Sequence, residues 1–202
     1  MSERETWTSE EFGSSHEGAV GVLLADGRVP GPAYFDTGSG SHVQSTSQWS
    51  VYDGRFPHAP RAAALRAVCS CGWTGPEHHL DWEAIGEQEL DEAADNEADA
   101  CTRDWDGHTT AVEATTVPLP ETLTMLLEQL EQEIGKLAKT SPVAAVRAAR
   151  WTRITAERAG YWAARATRQD LDDAQVAAAL GLDEDAARTE LARLGRWSPY
   201  SG

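Results

Sequence analysis

Two cysteines one residue apart, Cys69-Ser70-Cys71, followed by Gly72 and Trp73, constrain this chain more than any other stretch. A disulfide between them would close a badly strained ring. In an extended strand both thiols point to one face. Gly72 then frees the backbone to curl behind them, and Trp73 can cover whatever they hold. Only three cysteines occur in 202 residues, which argues against a disulfide framework and for thiol or metal chemistry.

A tetrahedral zinc site closed by protein needs four thiolate or imidazole ligands. Cys69 and Cys71 supply two, and the candidates for the others are His78, His79, Cys101 and His108. Two sets stay open: Cys69, Cys71, Cys101 and His108, or the same set with His78 in place of Cys101. Cys101 and His108 lie seven positions apart, about 10 Å along a continuous helix, which is too far to share one ion. A helix ending at Asp106-Gly107 would let His108 fold back. Four protein ligands leave no open position for water, so the implied zinc is structural.

The segment from Asp81 to Asp106 is expected to be one acidic helix. Trp82, Ile85, Leu90, Ala94, Ala98, Cys101 and Trp105 recur on one face. Twelve carboxylates lie between Glu77 and Asp106 against one arginine, Arg103. They form either a solvated face or a docking surface for a basic protein partner, centred on Glu87, Asp91 and Asp95. The neighbours Glu87, Glu89, Asp91 and Glu92 do not make a catalytic carboxylate pair, because most face water on the helical wheel. Gly38-Ser39-Gly40 lacks the flanking strand and helix of a dinucleotide fingerprint. No nucleophile–base pair is evident, and the chain is read as a non-enzyme.

Upstream, residues 1–16 are expected to be a disordered tail. Ala19 to Leu24 reads as a strand closed by a hairpin turn at Asp26-Gly27. Ala33 to Phe35 is a second short strand, and Thr37 to Ser47 a loop with an optional edge strand at His42-Val43. Trp49 to Tyr52 is a strand ended by Asp53-Gly54, and Ala62 to Val68 is a short helix or, preferred because a metal knuckle usually joins two strands, a strand running into Cys69. Residues 17–108 thus form a β-rich metal-knuckle domain with an acidic helix.

Residues 109–120, with Pro118 and Pro120, read as a linker. Glu121 to Lys139 is an amphipathic helix with Leu123, Leu126, Leu127, Leu130, Ile134 and Leu137 on one stripe. The stripe packs on its own domain or forms a homodimer seam through Leu123, Leu127, Leu130, Ile134 and Leu137. Ser141-Pro142 then opens a helix to about Arg168. It carries Arg147, Arg150, Arg153, Arg158, Arg165 and Arg168 against one acid, Glu157. Arg147, Arg158 and Arg165 fall on one line flanked by Trp151, Ile154, Tyr161 and Trp162, with an alanine stripe opposite. Arginine interleaved with aromatics suits phosphate contact. It equally suits cations snorkelling from the rim of a core, or pairing with the acidic segment.

From Asp173 to Leu194, Val176-Ala177, Leu180-Gly181-Leu182-Asp183, Ala186-Ala187 and Leu191 fit helix, tight turn, helix. This stretch resembles the helix-turn-helix of sigma-factor region 4 and similar bacterial regulators. The resemblance implies a helix-turn-helix domain over 121–202 and a recognition helix exposing Glu184, Asp185, Arg188, Thr189 and Ala192. Glu184 and Asp185 depart from the pattern, since they would meet a DNA backbone with the wrong sign. DNA contact would rest on Arg147, Arg150, Arg158, Arg165 and Arg188. The tail from Trp197 to Gly202 is expected to fray.

The expected fold class is therefore α+β: a small β-rich zinc-knuckle module followed by an all-α helix-turn-helix-like domain. A formal net charge of −16 opposes indiscriminate binding to nucleic acid. The polar, acidic Met1 to Glu11 has no apolar signal region, and no run of about 18 apolar residues exists. Only Lys136 and Lys139 are lysines, a usage typical of GC-rich bacteria. A cytoplasmic, DNA-associated bacterial regulator is the first expectation. The alternative is an acidic adaptor, of the transcription machinery or as a mimic of DNA charge, that does not touch DNA.

Overall fold

The computed structural model describes residues 5–35, 44–56 and 59–196. The expected edge strand at His42-Val43 and the fraying tail from Trp197 lie outside them. The protein is a mixed α+β chain that divides into two units, 1–113 and 114–202.

The first unit is built on an antiparallel sheet of order β1-β2-β5-β6: β1 (Thr6–Trp7), β2 (Gly18–Leu23), β5 (Ala64–Cys69) and β6 (His78–His79). A separate ribbon pairs β3 (Ala33–Phe35) with β4 (Gln44–Thr46). Every residue of β2 is buried, as suits an apolar run covered on both faces. The register of β2 on β5 sets Gly18 opposite Cys69 and Leu23 opposite Ala64. The expected strand into Cys69 is present. Asp26-Gly27 does form a turn, with Gly27 at φ +78°, but the strand beyond it pairs with β4 rather than returning along β2. Trp49–Val51 is a 3-10 helix, not a strand. It buries Trp49 and sets up Tyr52, whose hydroxyl donates to Gly31 O at 2.7 Å.

The expected tail is largely ordered: β1 pairs with β2, Phe12 is buried, and Gly13–His16 form a 3-10 turn. Aromatic packing holds it, with the Trp7 ring 5.9 Å from that of Trp105.

The acidic segment is three helices rather than one: α1 (Trp82–Ile85), α2 (Leu90–Ala93) and α3 (Asp95–Glu113). Gly86, at φ +58°, ends α1. The Arg55 guanidinium then donates to the Glu87 and Gln88 carbonyls at 2.7 and 2.8 Å and to Glu89 Oε1 at 2.7 Å. A continuous helix would use those carbonyls itself, so Arg55 stabilises the break. Ile85, Leu90, Ala94, Cys101 and Trp105 are nevertheless buried in the sheet-side core, as their spacing implies. α3 packs on β2, β5 and β6. It continues through Gly107 into the expected linker.

The second unit is helical: α4 (Glu121–Thr140), α5 (Pro142–Asp170), α6 (Asp173–Leu180) and α7 (Glu184–Leu194). Asp172 and Gln175 form a capping box on α6, Gly181 takes the left-handed conformation at φ +65°, and Asp183 caps α7. Each is the local device its residue type favours. The core is thin: Ala164, Val176, Ala177, Ala187 and Leu191, with Leu182 and Leu194 beside them. α4 buries no residue.

One close approach in the first unit is decisive. A Cβ added at Gly18 would collide with the indole ring of Trp105. Gly18→Ala should therefore destabilise the first unit by about 1–3 kcal/mol, as overpacking does. Thermal unfolding followed by tryptophan fluorescence will show it as a lowered midpoint.

Candidate metal centre

β5 ends in a tight turn. Gly72 N–H donates to Cys69 O, and Cys69 N–H to Trp73 O, each at 2.9 Å. Gly72 sits at φ +92°, a backbone conformation that glycine adopts without strain. The residue between the cysteines ties in the N-terminal segment. Ser70 Oγ donates to Ser14 O at 2.9 Å and accepts from Glu17 N–H at 2.9 Å, while Ser70 N–H donates to Glu17 O at 2.8 Å. His16, the last residue of the 3-10 turn, is thereby held beside the two thiols. α3 delivers His108 from the other side, with Trp73 stacked on its ring at 4.3 Å and 4°.

His16, Cys69, Cys71 and His108 each offer one atom, and all four atoms lie within 4.8 Å of one another. His16 Nδ1 is 3.2 Å from His108 Nε2 and 3.6 Å from Cys69 Sγ, and Cys71 Sγ is 3.4 Å from His108 Nε2. A tetrahedral zinc bonded to nitrogen at about 2.0 Å and sulfur at about 2.3 Å sets nitrogen–nitrogen and nitrogen–sulfur edges of about 3.3 and 3.5 Å. The three separations fall close to those edges. One nitrogen of each imidazole faces both the other ring and a thiol, so the donors converge on one point. That convergence is compatible with a single metal ion.

The electrostatics suit a cation. Burial, chiefly, pushes the Cys71 thiol above its ordinary range, and neighbouring Cys69 adds to this. A bound cation would reverse that, since metals hold the thiolate form. Burial, with the nearby His16 ring, holds His108 below its usual value, so its nitrogen lone pair is available near neutral pH. Phe12 packs edge-on against His16 with ring centroids 5.5 Å apart. Cys69 and His16 are 8% and 9% exposed, whereas Cys71 reaches solvent.

Of the residues singled out from the sequence, Cys69, Cys71 and His108 come together and Cys101 does not. Cys101 is fully buried in the apolar core, and burial, with the Asp104 charge adding, pushes its thiol up to about 12. The helix does not end at Gly107, so the axial separation from His108 stands. His78 is also elsewhere, its Nε2 bonded at 2.7 Å to Asp104 Oδ2. His16 was missed because it stood in the expected tail. Only the register finds it: with Gly18 opposite Cys69, residues just before Gly18 run beside those just after Cys69.

Glu87, Asp91 and Asp95 are exposed, as a docking face requires. Arg147, Arg150, Arg158 and Arg165 are exposed on α5. Arg188 is held by Asp173 at 2.9 Å and by Asp185. No protein family, curated protein or solved structure matches this chain.

His16→Ala should lower metal content well below one ion per chain, whereas Cys101→Ser should leave it unchanged. Elemental analysis of the purified variants separates the set completed by His16 from the expected one completed by Cys101. The metal-free protein should also lose stability as pH falls below about 6.5. Because the folded pKa of His108 is lowered, the unfolded chain takes the proton first, and the contribution present above that pH is lost on acidification. Chemical denaturation at pH 5 and pH 8 in a chelator checks it.

Proposed function

We propose that His16, Cys69, Cys71 and His108 hold one structural zinc ion. We further propose that the chain is a cytoplasmic, non-enzymatic adaptor whose acidic first unit docks a basic protein partner. Two thiolates and two imidazoles form a closed, borderline-soft donor set, which suits zinc and leaves no position for a reacting water. The docking face is centred on Glu87, Asp91 and Asp95.

The observation that carries the adaptor reading lies in α7. By the sigma-factor resemblance α7 is the recognition helix, yet its arginines are already paired with acids of the second unit, in solvent-exposed ion pairs. Arg188 pairs with Asp173 and Asp185, and Arg193 with Glu190. Asp173 and Asp185 raise the Arg188 pKa through these bonds, and Glu190 does the same for Arg193. Glu184 and Asp185 remain exposed at the helix start, where phosphate contacts would form. Engaging DNA would break ion pairs and bring carboxylates against phosphates.

The second reading keeps the DNA-associated regulator. It draws support from the helix–turn–helix geometry around Gly181 and from the exposed arginines of α5. Fluorescence anisotropy with a labelled random duplex, at about 50 mM salt and again at about 200 mM, divides the two. The adaptor should show no binding at either. Affinity that falls steeply with salt, and that weakens several-fold in Arg158→Ala and Arg165→Ala, would replace the adaptor with the regulator.

A further inference from the structure

α4 presents leucines to solvent along most of its length. Leu123, Leu126 and Leu127 are 44%, 57% and 49% exposed. Toward the joint at Ser141, Leu130, Ile134 and Leu137 line a cleft with Ala148 of α5, and even there none is buried. A contiguous apolar stripe of this length on a 20-residue helix marks an interaction surface rather than scattered surface residues.

α5 carries a matching face. Val143, Val146 and Trp151 are 83%, 71% and 54% exposed. Buried Ala145, and Ala148 in the cleft with α4, lie across the wheel from Val143 and Val146, with Trp151 at the edge between the two sides. The charges of the two faces are opposite. The α4 stripe is flanked by Glu131 and by Glu133, which pairs with Lys136 at 2.7 Å, and over Glu121–Thr140 four glutamates stand against two lysines. The α5 face is interleaved with Arg147 and Arg150, and over Pro142–Asp170 six arginines stand against two acids.

We propose that the occupant of the α4 stripe is α5 of a second copy of this chain. Two such contacts, α4 on α5 of the partner and the reverse, are related by a two-fold axis and complete a four-helix arrangement. Charge selects this pairing over α4 against α4, which would set the glutamates of one copy beside those of the other, and over α5 against α5, which would set arginine beside arginine. The proposal stands apart from the adaptor and regulator readings and leaves the metal centre untouched.

The test is sedimentation equilibrium of the full chain as purified, between about 1 and 100 µM. A dimer of twice the 21.9 kDa chain mass is expected. Leu126→Glu/Leu127→Glu should give a monomer with unchanged helical circular dichroism and unchanged zinc content. A charge swap then identifies the surface. Glu131→Lys/Glu133→Lys and Arg147→Glu/Arg150→Glu should each weaken the dimer at least tenfold, and mixing the two variants should restore association. A monomer at 100 µM overturns the proposal. So does a dimer indifferent to the leucine changes. A dimer that is tightened by Glu131→Gln/Glu133→Gln, which removes charge without reversing it, assigns the stripe to α4 against α4 and likewise overturns it.

Discussion

The antiparallel pairing of β2 with β5 is the constraint on which the first unit depends. Placing Gly18 opposite Cys69 brings the segment before β2 alongside the turn after β5. The bare α-carbon of Gly18 admits the Trp105 ring, so α3 can lie close on the sheet. With α3 seated there, His108, one turn beyond Trp105, reaches the two thiols. A one-residue slip would turn every side chain of β2 over and separate His16 from the cysteines. Sheet register, helix seating and donor geometry are therefore one event.

The two units solve opposite problems. The first has a strong sheet-side core and surplus negative charge, and it uses a single cation, Arg55, to hold an acidic connection in a non-helical path. Arg55 is itself steadied by buried Asp53, 3.4 Å away. The second has regular helices and little to pack between them. Three of its five buried core residues near α6 and α7 are alanines. Alanine buries little area, so such helices gain little stability from burial. Caps and turn residues define their ends sharply while α4 stays uncovered.

Local devices were legible in the sequence. The strand into Cys69, the joint at Ser141-Pro142, the left-handed Gly181 and the Asp183 cap each depend on residues within one turn of themselves. The buried positions of the acidic segment were legible too, although the helix through them breaks, because the core is lined by the same residues either way. The break was not legible, since it depends on Arg55, more than 30 positions upstream of the carbonyls it binds. The fourth donor was hidden for the same reason. His16 stands in a polar stretch with no periodicity, and it becomes part of a site only through pairing with a strand 53 positions away. Cys101, conspicuous as a thiol, proved to be a small core side chain, a common place for free cysteine.

The Ser70 tether has a further consequence. Because hydroxyl and backbone bonds hold His16 beside Cys69, those two donors keep their positions whether or not an ion lies between them. Cys71 is the exposed member of the four and His108 is half-buried, while Cys69 and His16 are shut in. Any ion would enter and leave past Cys71, with that thiolate the last to bind and the first to let go. Exchange with a competing chelator would begin on that open side of the site, at Cys71, and not at the enclosed pair.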